Sequence, residues 1–334
     1  MNQSTQKILR RRLLQSAMLG TANFSLGFSW AQKKELPAIA RIIVGFPAGG
    51  APDIIARRMA EQLTGKLAVS VVVDNRPGAG SRIALDFARQ VPADGLTLLL
   101  SPAGIVATNP HSFKKLNYDP FKDIVPISLA STITFGFAVG PAVPTSVTTL
   151  ADFTNWVKTQ PVGVSYGSPA AGAPPHFIGE WLSLRLKLGL THIPYRGAAP
   201  AFLDLFGGRI AALSLTLGDM VKHAEAGRLR IIGVSGLKRS PFAPNIPTFS
   251  EQGVSGLERD DWFGVYIAGK PSNQVITDTS NVVRQALTSP QYQKSLRDAY
   301  LAPAWSSPKE LDQRGRDDYN HWGPLVAASG FVAD

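Results

Sequence analysis

The 334-residue chain contains no cysteine, which excludes disulfides, thiol nucleophiles and thiolate metal sites. Histidine is scarce: His111, His176, His192, His223 and His321 never fall four residues apart, so no helix face presents a metal-binding pair. Each reads first as structural, and His176, near a helix start, lies nearest any cleft. Familiar chemical spellings are missing too. No G-x-S-x-G elbow surrounds a serine, no Gly-rich run ends in Lys-Ser/Thr, and Ala48-Gly49-Gly50-Ala51-Pro52-Asp53 does not spell G-x-G-x-x-G. No catalytic residue, metal or cofactor is therefore expected. Charged residues make up only 17% against 44% apolar. The Lys and Arg residues are scattered, without an aromatic-interleaved basic stripe, so no nucleic-acid partner is expected. The net charge of +10 acts as a general field favouring anionic ligands.

Long apolar runs are also lacking. Leu13 to Trp30 is mildly apolar but is broken by Gln15, Ser16, Thr21 and Asn23, too polar for a membrane span. It follows Lys7 and Arg10-Arg11-Arg12 and ends in Ser29-Trp30-Ala31, the n-region, h-region and small-x-small site of a cleaved export signal over residues 1–31. The spelling RRRLLQ fits the twin-arginine route, and the general route is equally open. Loss of four basic and no acidic residues lowers the formal charge from +10 to +6. An exported chain without cysteine relies on its core.

From Pro37 the pattern repeats strand, loop and helix, as an α/β layer architecture requires. Ile39 to Phe46 and Val69 to Val73 read as strands, with a helix from Pro52 to Leu63 between them; a helix at Ser81 to Gln90 precedes a strand at Leu96 to Leu100. The apolar runs suit strands buried on both faces of a parallel sheet. A second set follows Pro141-Ala142-Val143-Pro144: helices at Leu150 to Lys158, Pro175 to Leu188 and Ala198 to Phe206, and strands at Gly163 to Tyr166, Leu190 to Pro194, Ile210 to Leu215 and Leu229 to Val234. The tail, Gln274 to Leu287, Ser289 to Ala299 and Pro308 to Ala328, is helical in pattern. Two apolar stretches, Ile133 to Val139 and Phe263 to Ala268, fall where the chain would cross between lobes made of residues 37–135 plus 262–334 and of residues 136–261. Two crossings give a hinged cleft.

Two loops carry the functional expectation. Phe46, Pro47, Ala48, Gly49, Gly50, Ala51, Pro52 and Asp53 join a strand to a helix start, where unpaired N–H groups and the helix dipole favour an anion. Ser168, Pro169, Ala170, Ala171, Gly172 and Ala173 repeat the arrangement before His176. Facing each other, they would clasp one small anion; each alone reads equally as a turn. Asp53 either complements its helix dipole or contacts ligand or water. Arg82 either stands in solvent or pairs with a second acidic group of the ligand. Arg196 reads as structural.

These residues sit in a wider set of motifs. Phe46-Pro47-Ala48-Gly49-Gly50 with Asp53, Asp74-Asn75-Arg76-Pro77-Gly78-Ala79-Gly80, Asp94 to Leu99 and Asn117-Tyr118-Asp119-Pro120 resemble the Bug-type (TctC-like) solute-binding proteins of tripartite tricarboxylate transporters. So do His192 to Gly197, Pro200-Ala201, Asp204-Leu205, Gly207-Gly208, Pro247-Thr248 with Glu251 and Gly253, and Trp262 with Gly264, in order to the C-terminus. The resemblance implies a two-lobed, type II-like periplasmic binding protein of Venus flytrap form, each lobe a mostly parallel sheet flanked by helices. It implies a monomer and no catalysis. A ligand carboxylate would be held by backbone amides and waters of the two loops and handed to a two-component membrane permease. The chain departs from the family pattern at Ala51 and Ala173, where relatives often carry Ser or Thr, at Ala170 for a frequent Gly, at Gly45 for a common Pro, and at Ser81-Arg82 for Gly-x. Loss of hydroxyl donors disfavours heavily hydrated ligands such as aspartate or citrate. The expected ligand is a mono- or dicarboxylate with an apolar or aromatic body, a second carboxylate falling near Arg82. A ligand sensor serving a signalling partner needs the same closure, and an exported hydrolase or isomerase is the reading from another class.

Overall fold

The computed structural model describes residues 35–333, so the export segment expected over residues 1–31 lies outside the described residues. The chain runs through β1 (Ile39–Val44), α1 (Ala51–Leu63), β2 (Ser70–Asn75), α2 (Arg82–Ala88), β3 (Thr97–Pro102), the one-turn helices α3 (Gly104–Ala107) and α4 (Asn109–Ser112), and β4 (Ile124–Ile133). It continues through β5 (Phe135–Val139), α5 (Leu150–Lys158), β6 (Ser165–Ser168), α6 (Pro174–Leu186), β7 (Thr191–Pro194), α7 (Ala198–Phe206), β8 (Ala212–Thr216), α8 (Leu217–Glu225) and β9 (Arg230–Val234). The last elements are β10 (Asp261–Ala268), α9 (Asn273–Leu287), α10 (Pro290–Arg297), β11 (Ala302–Pro303) and α11 (Pro308–Ser329).

The strands form a six-stranded sheet in the order β11-β4-β10-β3-β1-β2 and a five-stranded sheet in the order β7-β6-β8-β5-β9. In the first, β1 lies parallel to β2 and β3, while β10 runs antiparallel to β3 and β4. In the second, β6 lies parallel to β7 and β8, while β5 runs antiparallel to β8 and β9. The reversed strands have a topological cause: β5 is the first strand made after the chain leaves the first sheet, and β10 the first made on its return. Ala40, Ile42, Ile43 and Val44 of β1 are fully buried, as a strand covered on both faces requires. Helix ends follow local rules. Thr149 and Asp152 form a reciprocal capping box at α5, and Ser307 and Glu310 do the same at α11.

The stretch Ile133 to Val139, expected as one crossing, is divided at Thr134 between the end of β4 and the whole of β5. Phe263 to Ala268 lies inside β10. The two passages between sheets therefore run side by side, and Thr134 Oγ1 donates to Asp260 Oδ1 at 3.2 Å across them. A buried charged group lies beneath. Trp262 Nε1 donates to Asp318 Oδ2 at 2.6 Å and Arg259 Nη2 meets Asp318 Oδ1 at 2.8 Å. Neighbouring Asp261 leaves its buried Oδ2 without a hydrogen-bond partner. Burial first, and then the charge of Asp318, push its carboxyl up to about 8.

Candidate functional site: a cleft between the two sheets

Between the sheets lies a cavity of about 420 Å³. One wall is the loop from Phe46 to Gly50 with Pro52; the opposite wall is Pro169 and Ala173 to Pro175 together with α7 and the segment before it. Phe135 and Phe263, from the strands that connect the sheets, line it beside Phe202, Leu203 and Phe206 of α7. Its charged and titratable groups are Arg196, Asp219, His223 and Arg228. The volume is that of a small-molecule site, mostly apolar with a few polar groups to orient a ligand.

The start of α1 is largely occupied by the protein itself. Gly49, in the left-handed region at φ 94°, lets its N–H donate to Asp53 Oδ2 at 3.0 Å. Ala51 N donates to Asp219 Oδ1 at 3.1 Å, a bond between the two walls, and Pro52 has no N–H. Asp53 is buried, takes Arg57 Nε at 2.9 Å and Asn75 Nδ2 at 3.0 Å, and does not line the cavity. Burial alone would raise its carboxyl, but these bonds outweigh that and hold it below the ordinary range. Its side chain fixes the loop.

The start of α6 is short of donors as well. Pro174 and Pro175 have no N–H, His176 N turns back to Ala173 O at 2.9 Å, and Gly172 N donates to His176 Nδ1 at 3.2 Å. His176 is buried under the loop, stacked on His192 at 3.8 Å between ring centres. Ser168 is fully buried and bonds Ala170 O at 3.1 Å and His192 Nε2 at 2.8 Å. Burial, then the neighbouring His176, push His192 down to about 3, so its ring is neutral at physiological pH. Ser168 and His176 thus support the loop from below.

Not every expected residue reaches the cavity. Phe46, Pro47, Ala48, Gly49, Gly50, Pro52, Pro169 and Ala173 line it; Ala51, Asp53, Ser168, Ala170, Ala171 and Gly172 do not. Ala170 and Ala171 line an adjoining space of about 320 Å³, with Gly45, Pro77 to Gly80 and Phe113. The two spaces share Phe46, Pro47, Pro169, Arg196 and Gly197. They meet at a pinch: a Cβ on Gly197, which sits at φ 99°, would lie 3.2 Å from Pro47 Cδ. Arg82 lines neither space. Its guanidinium lies 3.8 Å over the Phe113 ring and its Nε donates to Ala79 O at 3.2 Å.

Three features escaped the sequence reading. The start of α7 brings Gly197, Ala198, Ala199 and Pro200 to the cavity, and its first N–H groups, on Ala198 and Ala199, have no intrahelical partner. Gly197 followed by Pro200 was the available cue, a glycine before a proline-containing first turn. Asp219 and His223 stand one turn apart on α8, a helix that follows β8 without an intervening loop. Asp219 is partly exposed to the cavity, and burial pushes its carboxyl up to about 7 against the opposing effect of the Ala51 N–H. His223 is lowered by burial and then by Arg228, whose guanidinium lies 3.8 Å over Phe206.

Two α/β sheets, adjacent crossing strands and a ligand-sized cavity between them define the two-lobed solute-binding class. The chain belongs to the tripartite tricarboxylate transporter family of receptors, whose pattern fits residues 55–331. Among its relatives, a UPF0065 protein from the tcbD-tcbE intergenic region of a Pseudomonas species is 30% identical over 288 residues, 85% of this chain and 84% of that one. Protein BugT of Bordetella pertussis is 28% identical over 291 residues, 87% of this chain and 89% of the relative. Among solved structures, R. palustris Rpa4515 with adipate superposes with a TM-score of 0.83 at 29% identity, covering 91% of this chain and 99% of that one. The periplasmic binding protein BugD gives 0.82 at 26% identity, covering 89% and 99%. Among the described residues no helix is long and apolar enough to cross a membrane, and no group of three His, Asp or Glu could hold a metal ion.

Proposed function

We propose that this receptor works in the periplasm, captures a small carboxylate with an apolar or aromatic body by closing its cleft, and delivers it unchanged to a two-component membrane permease. The observation that carries this reading is the cavity: about 420 Å³ walled by Phe46, Phe135, Phe202, Phe206 and Phe263, with cationic Arg196 and Arg228 at its edge. A polyhydroxylated acid would leave polar groups unpaired against those rings, at about 1–3 kcal/mol each. A structural relative bears a ligand of the expected kind: adipate, the ligand of Rpa4515, is two carboxylates on a chain of methylenes.

The carboxylate's place follows from the donors left over. With the Ala51 and Gly49 amides engaged by side-chain carboxylates, the start of α7, beside Arg196, is the better anion site. The loops 46–53 and 168–173 then act mainly as walls. A thermal-shift panel on the mature chain tests the function. Apolar and aromatic acids should raise the melting temperature, since saturation at about 100 times Kd stabilises by about 2.7 kcal/mol. Stabilisation confined to citrate and aspartate would reject it, and chemical turnover of a bound acid would reject the non-catalytic role.

A further inference from the structure

The cavity contains a group that a receptor for simple carboxylates does not need. Asp219 is the acidic residue lining it, and its hydrogen bond among the described residues, Ala51 N to Oδ1 at 3.1 Å, comes from the opposite wall. No Lys or Arg forms a salt bridge with it among the described residues. His223, one turn along α8, is disfavoured as a cation by burial and then by Arg228, and Arg228 itself lies over Phe206. Asp219 therefore places an acceptor, unpaired with any cation, in a space walled by aromatic rings and proline. Such a carboxylate is disfavoured unless it takes a proton or a positive charge joins it. The opposite polarity lies elsewhere on the same lining, at Arg196 and the start of α7.

We infer that the ligand of this cleft carries a protonated nitrogen as well as a carboxylate, and that Asp219 is the residue that recognises the nitrogen. The inference rests on the carboxylate-receptor reading and narrows it. An ammonium placed between Asp219 and the apolar walls replaces the missing cation. The ligand carboxylate points to Ala198, Ala199 and Arg196. A plain dicarboxylate would bring a second negative charge toward Asp219, so the same side chain rejects it; specificity comes from repulsion as much as from attraction. A neutral hydroxyl would satisfy the oxygen without compensating its charge.

The test is calorimetry on the mature chain with acids matched in carbon skeleton: hexanoate, adipate, 2-aminohexanoate and 6-aminohexanoate, and 3-phenylpropanoate with phenylalanine. Within at least one skeleton the amino acid should bind tenfold or more tightly than its deamino parent. Asp219→Asn, which keeps an acceptor for the Ala51 N–H, should remove that preference and strengthen adipate binding. Parent acids binding wild-type protein as tightly as the amino acids would overturn the inference and leave the carboxylate reading standing. Adipate binding should tighten as pH falls below 7, because a proton on Asp219 removes the repulsion, and adipate binding indifferent both to pH and to Asp219→Asn would overturn the inference. A uniform loss of all binding in a folded Asp219→Asn protein would reduce Asp219 to a loop-positioning residue. Silence from every acid in the panel would overturn both readings.

Discussion

Gly45 and Ser81 are matched in space. A Cβ on Gly45 would clash with the side chain of Ser81, a residue that is fully buried and sits in the left-handed region at φ 74°. The Ser81 side chain occupies the space that a side chain at position 45 would need. Gly45→Ala should therefore cost about 1–3 kcal/mol by overpacking, and Ser81→Gly in the same chain should recover part of that loss, the part due to the Ser81 side chain, since the added Cβ would also lie 2.6 Å from Ser81 Cα. Urea unfolding of the two single variants and the double variant measures this, and losses that simply add would refute the pairing. Asp261 makes a second case. Its carboxyl, raised to about 8 by burial and by Asp318, with Oδ2 unpartnered, holds a proton in the fold that the unfolded chain releases near pH 4. The folded state thus binds more protons between these values, so its contribution to stability falls as pH rises through them. Asp261→Asn should raise the melting temperature relative to wild type at pH 8.5, by about 1–3 kcal/mol in stability, and change it little at pH 4. Equal effects at both pH values would show that the carboxyl is not held protonated.

Among the elements, helix starts decide the site, and their existence was easier to read than their availability. The sequence placed α1 and α6 correctly, because Pro52, Pro174 and Pro175 follow Gly-containing loops and long proline-free segments continue beyond them, with helical apolar periodicity in α1. It could not show that Asp219, 168 residues away, takes the Ala51 N–H. Nor did it expose α8: Gly218-Asp219 stands at the change, but β8 passes from Thr216 into Leu217 without an intervening loop. Arg82 was placed near the cleft by its neighbours in sequence, yet the Phe113 ring holds its guanidinium elsewhere. At α7 the argument becomes a prediction. Ala198 occupies the first helical position, where proline is tolerated and only the N–H is lost, and Gly197 before it has an extended ψ of 179°. Ala198→Pro should leave the melting temperature nearly unchanged while weakening the ligand about tenfold, the loss of one charge-assisted hydrogen bond. Unchanged affinity would move the carboxylate away from this helix.

In the whole molecule, two sheets are joined by adjacent crossings, with Thr134 bonded to Asp260 between them. The alternation of strand and helix and the order of motifs made both sheets legible. The junction was blurred because β4, β5 and β10 are continuous apolar runs, in which a change of sheet leaves no mark. Of the two positions from which a less polar pocket was expected, Ala173 lines the cavity and Ala51 does not; the cavity's aromatic walls come largely from α7 and the crossing strands, brought together only by tertiary structure. Isothermal titration calorimetry of the mature chain with apolar-bodied acids, citrate and aspartate tests this account most directly. It predicts one-to-one binding of an apolar-bodied acid with negative heat-capacity change, the mark of buried apolar surface, and weak or no binding of citrate and aspartate. Tight binding of citrate or aspartate, with none of the apolar-bodied acids bound, would contradict it.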